Sequence, residues 1–405
     1  MDRAAMPVVL VLILGAPAAA QLPMGATGSR VRVQNTDLAV LEAGENRNDL
    51  PCSVTQDKPF LGFDLRFHAG YDVTVPLREL SGSENLLSVL FRVASKDHPD
   101  DIRYFTQKIR VPSIEEEAKG DAVLQGGFDL GEGNYHVDWL MRDRSERVCS
   151  HSWDVEASLP NKDKQMNLMI GTGAIEPIHP EQFHDEPPVE RSSEGKPLTV
   201  KILMNFAPQK PTAATLRPID TVALVSMLRT LTRDPRIGKF SLVAFNLRDQ
   251  KILYRQENAD RIDFKALGES LKEVTPGAID LKLLGKKHGE TDFLAELIAK
   301  ETVVSAKPDA MVFAGPKALL DQGIPEDKLR QIGEVEFPMF YLNYILNPQA
   351  TPWRDTIGNA VKFFKGTEFT ISRPRDLWYS ISEMVTRIVK FRNGKQIASV
   401  STGER

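Results

Sequence analysis

The sequence has no Gly-x-Ser-x-Gly elbow, no Walker-type phosphate loop and no His-Glu-x-x-His pair, so the common hydrolase, nucleotide and zinc-peptidase signatures are missing. Cysteine is down to two residues, Cys52 and Cys149, and a two-cysteine metal site would need His or acidic partners at short spacing, of which none sits beside Cys52. An excess of one charge is also lacking. The formal net charge of −4 gives no global basic footprint for nucleic acid or an anionic membrane. The apolar run Val8–Leu14 falls well short of the roughly 20 residues of a spanning helix.

What is present is ordinary globular material, 41% hydrophobic and 26% charged over 405 residues, enough for two or three domains. Residues 1–20 combine an early Arg, the short apolar run and small residues at Ala18 and Ala20, which predicts a cleaved signal peptide. The protein is then expected to be periplasmic or secreted, with no membrane span after cleavage; an N-terminal anchor is the alternative. An oxidising compartment makes Cys52 and Cys149 a natural disulfide pair, against the alternative of two separate buried thiols.

Residues 21–50 read as a flexible segment, and 51–156 has period-two patterning. "FDLRF" and "YDVTV" alternate apolar and polar residues, and seven short strands with polar turns predict an antiparallel sandwich. Residues 157–197 are Pro-rich and read as an extended linker; within them His179, His184, Asp185 and Glu186 lack the fixed frame a metal site needs. From 198 to 395 strands alternate with helices, and 396–405 reads as a flexible tail. "SLVAFNLRDQKILYRQE" predicts a hairpin that places an antiparallel strand at a sheet edge.

"LGEGNYHVDW" resembles the turn-plus-tyrosine of immunoglobulin-like sandwiches, with Tyr135 in the corner position. The element order after Leu198 resembles the von Willebrand factor A domain. The fold class implied is multidomain: an N-terminal β-sandwich followed by an α/β, Rossmann-like (vWA-type) domain with a mostly parallel central sheet. Such domains hold a divalent metal on Asp-x-Ser-x-Ser after the first strand, a later Thr and an Asp after the fourth strand. The corresponding positions here are Asn205, Ala207, Gln209, Thr291 and Ala314, with no carboxylate at either acidic position. The resemblance therefore implies a degenerate, metal-free site. Asp292 could lean in as a ligand, but an acidic residue in the first turn of a helix is its plainer role.

No enzyme activity and no cofactor are expected. "IGTGAIE" is an incomplete dinucleotide loop, and His288 has no assigned nucleophile or orienting acid. The expected function is non-catalytic binding or scaffolding of another protein or an anionic polymer. A locally basic rim of Lys210, Arg217, Lys286, Lys287, His288 and Lys317 is its expected contact face. The alternatives are a cation-dependent adhesion module with substituted ligands and a hydrolase with an unrecognised interdomain site.

Overall fold

In the computed structural model, the described residues are 12–13, 22–23, 35–98, 100, 102–178, 182–192, 195–208, 216–272, 288–303, 307–320, 322–345 and 355–402. The chain divides into two compact units, Met1–Pro180 and Glu181–Arg405, with the division inside the Pro-rich stretch.

The period-two sequence of the first unit forms β1 (Ser53–Gln56), β2 (Phe67–Pro76), β3 (Asn85–Ser95), β4 (Ile102–Val111), β5 (Asp121–Leu130), β6 (Gly133–Arg142) and β7 (Val148–Ala157). One antiparallel sheet has the order β5–β2–β1 and the other β7–β6–β3–β4; antiparallel two-residue pairings at Leu22–Pro23, Phe60–Leu61 and Ile175–Glu176 and a parallel one at Leu12–Ile13 extend them. Burial alternates residue by residue along β2, as a strand with one face on the core requires. Tyr71 meets Phe91 and Trp139 edge-on, and Phe91 stacks on Phe105, so aromatics fill the interior. Tyr135 is fully buried at the start of β6, and its hydroxyl donates to the Gly131 carbonyl at 2.9 Å.

The stretch expected to be flexible, 21–50, instead carries helix α1 (Asn35–Ala43). Its Leu41 packs on Leu90, Leu140 and Val148, and Asp37 pairs with Arg142. Apolar contact and a partnered charge hold this segment where composition alone suggested none. The Pro-rich stretch is also less extended than expected. Leu159, Met166, Ile170 and Ile175 are buried in the first unit. In the second unit, Glu186 takes ion pairs from Arg229 at 2.5 Å and Arg233 at 2.7 Å. Arg229 also lies over the Phe264 ring and donates to His184.

The second unit contains β8 (Leu198–Asn205), α2 (Pro218–Thr232), β9 (Ile237–Asn246), β10 (Lys251–Ala259), α3 (Phe264–Lys272), α4 (Gly289–Thr302), β11 (Ala310–Pro316), α5 (Glu326–Ile332), β12 (Met339–Tyr344), α6 (Thr356–Phe363), β13 (Thr367–Ile371) and α7 (Pro374–Thr402). Helix α7 continues past the boundary expected at 395. The sheet order is β10–β9–β8–β11–β12–β13. Four neighbouring pairs are parallel, and β9–β10 is antiparallel. The Rossmann-like fold class is corrected here. Two of the three sheets are antiparallel and the third is mixed, so antiparallel sheets dominate and no all-parallel Rossmann sheet is present. The physical reason is connection length: the turn between Asn246 and Lys251 is too short for the crossover that parallel neighbours need.

Cys52 and Cys149 form a disulfide with Cα atoms 6.3 Å apart, joining the segment before β1 to β7 across 97 positions. Replacing both by Ser is expected to cost about 2–4 kcal/mol. Urea unfolding of the double variant measures this, and a stability equal to wild type would contradict a stabilising bridge.

Candidate functional site

The carboxyl end of β8 is closed by hydrogen bonds. Asn205 is 2% exposed, and its Oδ1 accepts the backbone N–H groups of Ala207 at 3.0 Å and Leu247 at 3.2 Å. Two N–H donors require an oxygen, which fixes the orientation of the amide. Ala207 and Ala314 are buried and offer no ligand oxygen from their side chains. Gly315 has φ +141°, and a Cβ there would come within 2.8 Å of the Asn205 carbonyl oxygen. Glycine is needed so that the end of β11 can lie this close to β8. Thr291 is also committed to structure, donating from Oγ1 to the Gln322 carbonyl at 3.0 Å.

Of the expected basic rim, Arg217, His288 and Lys317 are among the described residues. Arg217 makes two hydrogen bonds of 2.8 Å to Asp220, which hold its guanidinium above the ordinary range. Lys317 is largely buried, with Nζ 4.0 Å from Glu368. His288 is exposed at the start of α4, and Asp292 pairs with Lys328 at 2.6 Å. Gln209, Lys210, Lys286 and Lys287 lie outside the described residues.

A polar cluster that sequence reasoning missed lies under the first turn of α6. Asn343, fully buried, donates through Nδ2 to Glu368 at 2.9 Å. Asp355 Oδ1 accepts the Ala318 N–H at 3.2 Å. The Asn343 Oδ1 and Asp355 Oδ2 atoms are buried without a hydrogen-bond partner among the described residues. Burial pushes the Asp355 carboxyl up; the Gly358 and Ala318 N–H groups oppose this, the Glu368 charge adds to it, and Lys317 offsets part of it. Two orphaned acceptors can receive a proton, an ammonium group or a small cation. The sequence hint was an Asn inside the apolar run "FYLNYIL".

The first unit holds a second charged constellation. His68 Nδ1 faces Asp129 at 2.7 Å and Nε2 faces Asp64 at 3.1 Å. Arg66 is 2.6 Å from Glu176 and 3.6 Å from Asp129. A Cβ at Gly62 would meet His68 Nε2 at 2.4 Å, so the glycine lets the turn bearing Asp64 approach the ring. Burial disfavours the imidazolium, yet the hydrogen bonds and charges of Asp129 and Asp64 push its pKa up to about 10. Burial likewise opposes the Asp64 charge, but His68 and Arg66 hold that carboxyl below its usual range. The Asp64, His68 and Asp129 ligand atoms lie within 4.8 Å of one another. A metal at Nε2 would have to displace the proton that bonds this nitrogen to Asp64. With both nitrogens occupied, this imidazole is also a poor general base.

No family model matches the chain, and no curated protein matches it. Among solved structures, it is similar to the PilB minor pilin from Streptococcus sanguinis at 9% identity, covering 76% of this chain and 88% of that one, with a TM-score of 0.29. A putative ApaA protein from Bordetella pertussis matches at 10% identity over 27% of this chain and 93% of that one, with a TM-score of 0.16. A Bacteroides uniformis beta-glucuronidase matches at 9% identity over 78% of this chain and 38% of that one, with a TM-score of 0.18. These likenesses do not point to a von Willebrand factor A domain, and at such scores they carry no argument about fold or function.

Two substitutions test the site. Asn205→Asp places an ionised carboxylate in a buried strand end and is expected to cost about 1–3 kcal/mol at neutral pH; an unchanged urea midpoint would contradict the clamp. His68→Gln is expected to lose on the order of 2–4 kcal/mol near pH 6.5. Because the folded pKa lies above the unfolded one, the contribution of His68 is fully present below about pH 6.5 and fades as pH rises to about 10. Wild type and variant should therefore converge at pH 10, and a constant gap across this window would refute the charged cluster.

Proposed function

We propose that this chain is an exported, non-catalytic binding protein whose second unit works without a metal at the end of β8. The observation that carries the reading is the Asn205 carboxamide, whose Oδ1 is committed to two backbone N–H groups. That bonding supports a rigid strand end that presents its surrounding loops. The His68 cluster supports the same reading, since both ring nitrogens face carboxylates and neither faces a nucleophile. Among the described residues, no helix is long and apolar enough to cross a membrane. The partner is another protein or an anionic polymer that meets the loops around Arg217, His288 and Lys317, with Lys210, Lys286 and Lys287 as further rim positions.

A second reading, a cation-dependent module, is favoured by one observation: the orphaned oxygens of Asn343 and Asp355 beside Glu368. One melting experiment separates the two. The binding reading expects the same midpoint in EDTA and in magnesium, since only a ligand of the native state raises it. A magnesium-dependent rise that Asp355→Asn removes would replace it with the second reading. For the rim, retention of the wild type on immobilised polyaspartate should fall with salt and be weakened by Lys286→Glu/Lys287→Glu. Equal retention of both proteins would exclude this face.

A further inference from the structure

Residues 182–192 lie as a strap on the second unit, and the two ends of the strap are held by different chemistry. At the far end, Arg191 donates to the Thr232, Asp234 and Asp260 carbonyls and lies over the Phe240 ring, while the Ser192 N–H donates to the Pro235 carbonyl. An arginine keeps its charge throughout, so this anchor is indifferent to acid. At the near end, Phe183 packs on Gly268 of α3, where a Cβ would fall 2.6 Å from the Phe183 Cγ. Arg229 of α2, itself buried, donates to the Gln182 carbonyl at 2.8 Å and the His184 carbonyl at 3.1 Å.

The near end also holds an imidazole against that guanidinium. His184 Nε2 is 2.6 Å from Arg229 Nη1, and Nδ1 is 3.3 Å from Nη2. A guanidinium offers only donors, so the nearer ring nitrogen, Nε2, has to accept, and the ring has to be neutral. A proton on Nε2 would turn this bond into a contact between two cations at a half-buried position. The acids of the strap are already engaged. Glu186 takes Arg229 and Arg233 of α2, and Asp185 pairs with Lys265 of α3 at 3.1 Å. Among the described residues, three cations of α2 and α3 thus meet these two carboxylates, and an imidazolium would add a fourth positive charge.

We infer that residues 182–186 form an acid-released strap: a neutral His184 lets them close on α2 and α3, and a proton on its imidazole lifts them while Arg191 keeps the far end in place. Closure excludes a proton, so the contribution of His184 to closure is fully present above about pH 6.5 and is lost as pH falls below it. With a free imidazole titrating near 6.5, opening at pH 5 is favoured up to about thirtyfold over pH 7.5. Release uncovers Arg229, Arg233 and the Phe264 ring, whose centre lies 5.0 Å from the Arg229 guanidinium carbon. This device goes beyond the binding reading and does not depend on it.

The test uses the full chain with a fluorinated phenylalanine in place of Phe183, whose fluorine NMR shift separates a ring packed on Gly268 from one in solvent. A packed signal is expected at pH 7.5, with a solvent-like signal growing as pH falls to about 5 and receding on return. His184→Gln, whose amide oxygen can still accept from Arg229 but takes up no proton, should stay packed across this range. In wild type the His184 ring proton, followed by NMR, should titrate below about pH 6.5, a readout that needs no variant to fold. An unchanged fluorine spectrum down to pH 5, a pH response that persists in His184→Gln, or a ring midpoint at or above 6.5 would overturn the inference. So would a parallel loss of far-ultraviolet circular dichroism, which would assign the response to the whole fold rather than the strap.

Discussion

The second unit depends on one amide. Asn205 ends β8 at the centre of the sheet, and its single oxygen joins the loop after β8, through Ala207, to the end of β9, through Leu247. A carboxylate could accept the same two bonds, but its buried charge would then call for a cation. A neutral amide lets the strand ends close without one, and Gly315 completes the closure by bringing β11 against Asn205.

The same principle of partnered burial runs through the rest of the molecule. Lys201 and Glu301 are both buried and meet at 2.5 Å, with Arg255 pairing to the other Glu301 oxygen. Arg229 holds the segment around Glu186 on α2 and α3, and the His68 imidazolium is held between two aspartates. Each of these is a charge that would be costly alone and is tolerated because its partners are fixed. Asn343 and Asp355 differ in that each keeps one buried oxygen without a hydrogen-bond partner among the described residues, as a few other buried polar atoms do.

Local pattern made much of this legible. The period-two runs became strands, and the short spacing at Arg248–Gln250 correctly indicated the β9–β10 hairpin. The clamp made by Asn205 was not legible in the sequence, because its acceptor role depends on Leu247, 42 positions away. "FDLRF" shows how alternation misleads. Phe63 and Leu65 are buried as a strand would bury them, yet Leu65 has φ +62° within a tight turn and β2 starts only at Phe67. His68 escaped notice for the same reason: it reads as an outward residue of a strand, and its partners Asp64 and Asp129 come together only when the turn and β5 fold onto it. Proline content made 157–197 look extended, since composition cannot report the long-range Glu186–Arg229 ion pair.

The central claim is that the Asn205 amide closes the end of β8 as a hydrogen-bonded clamp, and amide hydrogen exchange reads that clamp directly. The Ala207 and Leu247 N–H groups should exchange slowly in wild type, with the same protection in EDTA and in magnesium. In Asn205→Ala both should lose protection while the β12 amides keep theirs. Fast exchange of the two amides in wild type, or protection that develops only with a divalent cation, would contradict the account.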